Sequence, residues 1–353
     1  DEAKSKVVGL IPAKAATLAS RVSLRALCVD RRSGELLRDV ELFRPEQIDV
    51  IHSLNSYASP TPVIEAGRLY CHFGTYGNAC IDTDTGEVLW RRVIPIDHYV
   101  GPGSSPLLHG DLLVLTYDGA NEQFITALDK RTGETVWRTD RPPITDTNPD
   151  FRKAYSTPIA TELNGRTQLV ITGAQWIAAY DPASGGEIWR FDHGHGFSTV
   201  PRPVERDGVV YFASGFSGEE LIALRPTGEG QLADADVVWR SRRQAPTQPS
   251  PVLVADRVFT VSDKGIGVCL DAATGEVIWQ KRLGRAFSAS PLAVGGNVYF
   301  FSRDGETTVI DSAADTLSAV AVNDLDGTIM ATPAVVDGRM YLRTDTHLYC
   351  LGR

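Results

Sequence analysis

Residues able to do chemistry, and spared from any visible repeating duty, gather in short irregular segments of this chain. Imidazoles stand at His52, His98, His193 and His195, and aromatic rings at Tyr57, Tyr76, Tyr99, Tyr155, Trp176 and Phe197. Among them are Asn55, Asp118 and the cations Arg152, Lys153, Arg202, Lys264, Arg285 and Arg303. Rings beside amide, carboxylate and guanidinium groups suit a polar planar or carbohydrate-like ligand, and the cations favour an anionic one. Four imidazoles could converge on a metal, but only His193-Gly194-His195 are close in sequence. Glycine-rich loops hold ligands loosely, so no metal site is assigned. No GxSxG, HExxH or phosphate-cradling loop occurs, and no catalytic residue is assigned.

The elements that must position these residues are short. The chain has 353 residues, 42% hydrophobic and 22% charged, which is the composition of an ordinary globular protein. Its 32 Gly and 20 Pro punctuate the sequence too often for long helices. A net charge of -9 with dispersed Lys and Arg argues against nucleic acid, and no apolar run is long enough for membrane insertion. The first twenty residues contain no apolar core of export-signal length. Five Cys without a CxxC pair argue against a complete disulfide framework and a zinc site.

One unit is written repeatedly: CIDTDTGEVLW (80 to 90), ALDKRTGETVW (127 to 137), AYDPASGGEIW (179 to 189) and CLDAATGEVIW (269 to 279). Each starts as an alternating strand, turns through Asp and Gly, and leaves on a second strand ending in Trp. The Asp side chain can accept amides ahead of it while Gly supplies the positive φ of the turn. Weaker copies are LCVDRRSGELL (27 to 37), IALRPTGEGQLADADVVW (222 to 239, with an insertion) and TVIDSAADTL (308 to 317); LYCLGR at the end matches the first strand alone. Upstream of most copies a Ser-Pro or Thr-Pro opens another strand pair, as in SPLLHGDLLVL and SPVLVADRVFTV, with Pro at 62, 106, 158, 251, 291 and 333, and a degenerate copy, RPVERDGVVYF, has Pro at 203.

Four short strands (A after the Pro, B of Val-Tyr-Phe type, C before the Asp, D ending in Trp) at a period of roughly 40 to 52 residues describe a β-propeller blade. C strands number eight and A strands seven. The expectation is an all-β, eight-bladed propeller of four antiparallel strands per blade, with incomplete first and last blades and seven blades as the second choice. One domain, 1–353, is expected, its first blade over about residues 1 to 45 and later blades beginning near 59, 104, 156, 199, 249, 289 and 331. A B strand of the first blade is expected near residues 6 to 11.

The Ser-Pro strand and the AxDxxTGExxW pair together resemble the repeat of pyrroloquinoline-quinone (PQQ) dehydrogenases and of the BamB-type outer-membrane assembly lipoproteins. Stretches such as NSYASPTPV, GPGSSPLL, FRKAYSTP and THLYCL resemble more closely the exported bacterial PQQ-binding-like propellers. The likeness runs from about residue 23 to the end and implies a periplasmic or extracellular location. A Phe-Arg-Gly-Pro segment usual in that group is absent, which would place the start of this sequence inside its first blade. Binding PQQ with Ca²⁺ would need a stacking Trp, Asp, Asn and Glu ligands and an Asp base. Trp176, Asp118 and Asn121 are fragments of such a set, the vicinal cysteines of several PQQ dehydrogenases are missing, and no cofactor is assigned.

The repeat accounts for much that could pass for chemistry. Trp90, Trp137, Trp189, Trp239 and Trp279 share one repeat position and read as wedges between blades; Trp176 alone is out of register. Cys28, Cys80, Cys269 and Cys350 occupy the slot filled elsewhere by Ala127, Ala179 and Ala223, where a small buried side chain is expected, and Cys71 falls on a B strand. The D-to-A and B-to-C connections share one rim, and the irregular residues named first lie there. Three readings follow: a scaffold binding a protein partner, glycan or anionic small molecule at that rim without chemistry of its own; a funnel-based enzyme, either a quinoprotein oxidoreductase or a carbohydrate-active hydrolase or lyase; and a structural partner in an envelope complex.

Overall fold

The computed structural model describes residues 15–242 and 244–352, and among them regular structure is strand apart from three short 3-10 turns. Period-2 apolar runs bounded by Gly and Asp give four-stranded antiparallel sheets in plain A-B-C-D order. Blade I comprises Val63–Glu65, Arg68–His72, Asn78–Asp82 and Val88–Arg92; blade II comprises Leu107–His109, Leu112–Asp118, Gln123–Asp129 and Thr135–Asp140. Blade III holds Ile159–Leu163, Arg166–Thr172, Trp176–Tyr180 and Glu187–Asp192, and blade IV holds Val204–Arg206, Val209–Ala213, Leu221–Leu224 and Val237–Ser241. Blades V and VI repeat the pattern from Val252 to Arg282 and from Leu292 to Asp324; blade VII has three strands, Ala334–Val336, Arg339–Arg343 and Leu348–Leu351.

The propeller therefore has seven blades, not eight. The C and D strands expected to begin an eighth, Leu24–Val29 and Leu36–Phe43, form only a two-stranded hairpin. No A or B strand joins them among the described residues, and the B strand expected near residues 6 to 11 lies outside those residues. The hairpin nonetheless packs on blade I as a blade would, through Leu24, Leu42, Phe73 and Ala79. Its turn reaches blade VII through an exposed ion pair of Arg31 with Asp337, 2.7 Å.

Apolar cores lie between successive blades. Leu115 and Tyr117 of blade II meet Tyr70 and Trp90 of blade I, and Trp137 meets Leu169 and Tyr180 of blade III. The repeat explains this layer residue by residue. Trp90, Trp137 and Trp239 donate their indole N–H to the carbonyls of Lys130, Pro182 and Ala272, each the residue after the repeat Asp of the next blade, at 3.0, 2.9 and 2.9 Å. The turn Gly of that next blade lies against the indole: a Cβ on Gly133, Gly185 or Gly275 would stand 2.7, 2.5 or 2.6 Å from it. These glycines also hold φ of +75°, +71° and +73°, so both backbone and packing demand Gly. In the hairpin Arg38 stands where Trp would be, donating to the carbonyls of Thr83 and Asp84 over Gly86.

Cross-strand pairing sets the Cys and Ala slot. Cys80, Ala127, Ala179, Ala223 and Cys269 sit directly opposite the five repeat Trp residues, and all five are fully buried. In blade VI the sizes are exchanged, Val309 facing Ala321. Burial fails for two of the cysteines expected in this slot, since Cys28 and Cys350 are exposed. They lie on the hairpin and blade VII, whose facing sides have no neighbouring apolar layer among the described residues. The insertion before Trp239 places Gly230–Gln231 as a parallel fifth strand on blade III. Trp189 accordingly donates to Gln168 Oε1, 2.8 Å, instead of to a turn carbonyl.

Candidate functional site

The two faces separate as blade geometry requires. Repeat turns meet A-to-B turns on one face, as where the Lys130 amide donates to the Asp111 carbonyl, 3.0 Å. Asp30, Asp82, Asp129, Asp181 and Asp271 each accept the amides two and three residues on, Asp82 from Asp84 and Thr85 at 2.9 and 2.7 Å, and these bonds pull their carboxyls below the usual range. Such carboxylates are turn formers. On the opposite face D-to-A loops bind B-to-C turns: Ala120 donates to Asp97 O, 2.8 Å, and Gln175 to Gly196 O, 2.9 Å. This loop face carries every candidate residue.

Most of the candidates are used to build the loops. Tyr57 donates to Asp49 O and Tyr76 accepts from Asp49 N, both at 2.9 Å, with the rings edge to face 5.9 Å apart. Asn55 ties two loops by donating to Val100 O and Pro102 O, 2.8 and 3.2 Å. Tyr155, buried, donates to His98 O at 2.8 Å. Lys153 is buried against Asp150, donating to its carbonyl at 2.9 Å and to its carboxylate, 5.6 Å from the centre of Phe197. Burial brings this ammonium down to about 8. Phe197 packs on Phe151, 4.6 Å, and Arg152 donates to Gln123 Oε1, 3.3 Å. Tyr99 is half-buried with φ of 61°. Tyr155→Phe is expected to cost about 1 kcal/mol of stability, the usual worth of one such bond, read as a lowered midpoint in urea.

Three buried polar groups lie beneath the rim. Asp118 and Arg141 pair at 3.5 Å, both side chains nearly fully buried; burial lifts the carboxyl to about 6 against the opposing pull of Arg141. His193 donates from Nε2 to Gly173 O, 3.0 Å, which leaves Nδ1 without a proton and without a partner. His98 is buried with neither ring nitrogen bonded, beside a cavity of about 10 Å³ lined by Asp49, Thr75, Tyr76 and Pro102. That space admits no more than a single water.

The fragments of a quinone site do not assemble. Trp176 donates to Pro143 O, 3.1 Å, and Arg190 lies 5.3 Å from its ring centre, so the platform is already covered. Asp118 is neutralised by Arg141, Asn121 accepts the Asp97 amide at 2.9 Å, and no water-sized space remains between Asp118 and Trp176. The four imidazoles do not form a ligand set either: among the described residues no three His, Cys, Asp or Glu side chains are placed to share a metal.

What stays available is a basic group at the mouth. His195, Arg202, Lys264 and Arg285 are exposed and carry no side-chain bond or ion pair among the described residues. Arg303 is half-buried, donating to Ser288 Oγ at 2.8 Å and Gln248 Oε1 at 3.1 Å. Its charge, after burial, lowers the pKa of His52, a residue from the opposite end of the chain. His52 and Arg303, far apart in sequence, are thus near enough for their charges to interact.

Sequence reasoning missed the reason for the Ser or Thr before six of the seven strand-opening Pro. Thr61 N donates to Ser105 Oγ and Ser105 N to Thr157 Oγ1, both 2.9 Å. Arg202 N donates to Ser250 Oγ and Ser250 N to Ser290 Oγ, both 2.9 Å, and Ser290 N to Thr332 Oγ1, 2.8 Å. A belt of hydroxyls links the A strands around the axis, each accepting the amide that the previous blade leaves free. The signal was visible: six of the seven Pro are preceded by Ser or Thr, and Arg202 breaks the series.

Seven radial antiparallel sheets around a common axis, locked by repeat turns and Trp, define a β-propeller with quinoprotein-type repeats. The chain belongs to the family of the outer membrane protein assembly factor BamB, whose sequence pattern matches residues 5–170, 173–232 and 230–319. The fold is similar to BamB from Moraxella catarrhalis, TM-score 0.66 at 17% identity over 93% of this chain and 97% of that one. It is also similar to a europium-containing methanol dehydrogenase, TM-score 0.64 at 12% identity over 93% of this chain and 80% of the other. A curated relative, the quinohemoprotein alcohol dehydrogenase ADH-IIG of Pseudomonas putida, is 24% identical over 210 residues, 52% of this chain and 28% of its own length.

Proposed function

We propose that the protein is an exported scaffold, working in the periplasm or outside the cell, that docks a partner through its loop face and does no chemistry there. The observation that carries this reading is the employment of the rim's polar and aromatic side chains. Tyr57, Tyr76, Asn55, Lys153, Tyr155 and Trp176 each hold a loop in place, which yields a fixed, shallow surface instead of a reactive cavity. Such preorganised loops lower the ordering cost of binding a protein. Among the described residues no helix is long and apolar enough to cross a membrane. Family membership with an outer membrane protein assembly factor supports a protein partner over a small molecule. The test is charge reversal: Lys264→Glu with Arg285→Glu on the loop face should abolish co-purification of the partner from an envelope extract. Arg32→Glu on the opposite face should leave it intact, and equal loss from both would defeat the reading.

A quinoprotein oxidoreductase is the second reading, favoured by the match to the alcohol dehydrogenase. The covered Trp176 and the paired Asp118 weigh against it. Adding PQQ with Ca²⁺ is expected to change neither the absorbance of the quinone nor the melting temperature; a shift in both would restore the enzyme reading.

A further inference from the structure

The hydroxyl belt has one interruption within its run. Thr157 N, at the position whose counterparts in Thr61 and Ser105 donate to the next blade's hydroxyl, meets Arg202 instead, which offers no acceptor. The Thr157 amide consequently has no partner among the described residues, although the loop around it is tied by Tyr155 N to Thr199 O, 2.7 Å, and Ser156 Oγ to Pro201 O, 2.9 Å. Arg202 itself is anchored through its backbone to Ser250 Oγ, 2.9 Å, while its guanidinium has neither carboxylate nor hydrogen bond among the described residues. Two donors without acceptors among the described residues therefore belong to one break: the Thr157 amide, and Arg202 on the adjacent blade at the position that carries the hydroxyl elsewhere.

We propose that this break is a binding site for a single carboxylate, held by the Arg202 guanidinium and the Thr157 amide. A guanidinium and a fixed N–H match the two oxygens of a carboxylate, and one cation balances one negative charge. Neighbouring protein already lowers the affinity of Arg202 for its proton, although the side chain keeps contact with solvent, as expected at the throat of a propeller. A phosphate dianion would call for a second cation, and of the two donors at this break only Arg202 carries charge, the other being a backbone amide. The site does not depend on a partner at the rim: a free carboxylate would occupy it equally.

The substitution that tests this is supplied by the repeat. Arg202→Ser restores the hydroxyl that six blades carry, and Arg202→Gln keeps the length without the charge. Melting temperature is followed during titration with sodium acetate against sodium chloride at matched ionic strength, with sodium sulfate as a further arm. Acetate should raise the melting temperature of the wild-type protein by a few degrees and slow hydrogen exchange at the Thr157 amide, with no response in either variant. Without acetate Arg202→Ser should melt above the wild type because the belt is closed. A rise shared by wild type and variants, or none in the wild type, overturns the site; a larger response to sulfate than to acetate overturns the carboxylate assignment. If Arg202→Ser does not fold, Arg202→Gln alone decides.

Discussion

Trp137→Ala is expected to lower the unfolding free energy by about 3–5 kcal/mol, the range for emptying a buried aromatic site. The indole is 8% exposed and is held on three sides. Ala127 faces it across the sheet, Gly185 of the next blade lies on its ring, and Pro182 O accepts its N–H at 2.9 Å. Neither Ala127 nor Gly185 can grow to fill the space, so the cavity would persist. Arg202→Ala, which removes no side-chain hydrogen bond or ion pair among the described residues, should leave stability within about 0.5 kcal/mol. Urea denaturation of the two variants makes the comparison, and equal losses would show that the Trp register does not lock the blades. Gly185→Ala should also destabilise, because a Cβ there would stand 2.5 Å from the ring with φ at +71°. In the double variant Trp137→Ala with Gly185→Ala the steric part of that penalty disappears. The double variant should then lose less stability than the sum of the two single losses.

The same contacts explain what was legible in the sequence. The Trp, the Gly four residues after the Asp, and the Cys or Ala before it recur together because each touches another across a strand or a blade boundary. Spacing alone therefore gave the blade, its four strands and its order. Blade number was misread, since a C-D pair such as Cys28 to Arg38 carries the repeat whether or not inner strands accompany it. Cys28 and Cys350 were misassigned to a buried slot because burial depends on a neighbouring blade that a strand cannot report about itself. On the loop face, the sequence assigns His52 and Arg303 to one rim by blade topology alone. It could not tell a free Tyr from one bonded to a loop carbonyl, and Tyr57, Tyr76 and Tyr155 are of the bonded kind. Nor could spacing reveal that Trp176 is capped by Arg190, a partner that depends on side-chain packing rather than on strand register.

Acid should destabilise the fold well before most carboxylates titrate. Burial lowers His72 and His193 from 6.5 to about 4 and His98 to about 3, so all three are neutral inside the protein. His72 donates from Nδ1 to Asn78 Oδ1 at 2.7 Å and His193 from Nε2 to Gly173 O, which fixes both neutral tautomers. A group with a depressed folded pKa contributes stability that is complete above its unfolded value and is lost as pH falls toward the folded one. The window therefore runs from about pH 6.5 down to about pH 4 for His72 and His193 and to about pH 3 for His98, and at pH 5 each histidine costs on the order of 2 kcal/mol. Asp118 and Asp263 act in the other direction. Burial lifts both to about 6, so their penalty is relieved as they bind protons on acidification. That relief is about 1 kcal/mol each at pH 5, too little to offset three histidines. The net expectation is a loss of a few kcal/mol between pH 7 and pH 5, measured by urea denaturation at several pH values. His98→Leu isolates the cause, because His98 has no ring hydrogen bond to lose and its variant removes one titrating site. Its stability should fall less steeply with acid than that of the wild type, while Arg141→Met, which leaves Asp118 buried without the cation that holds its carboxyl down, should gain relative stability as pH falls, starting at a higher pH than in the wild type. Stability that holds constant or rises toward pH 5 in the wild type would mean that these imidazoles reach water before they protonate.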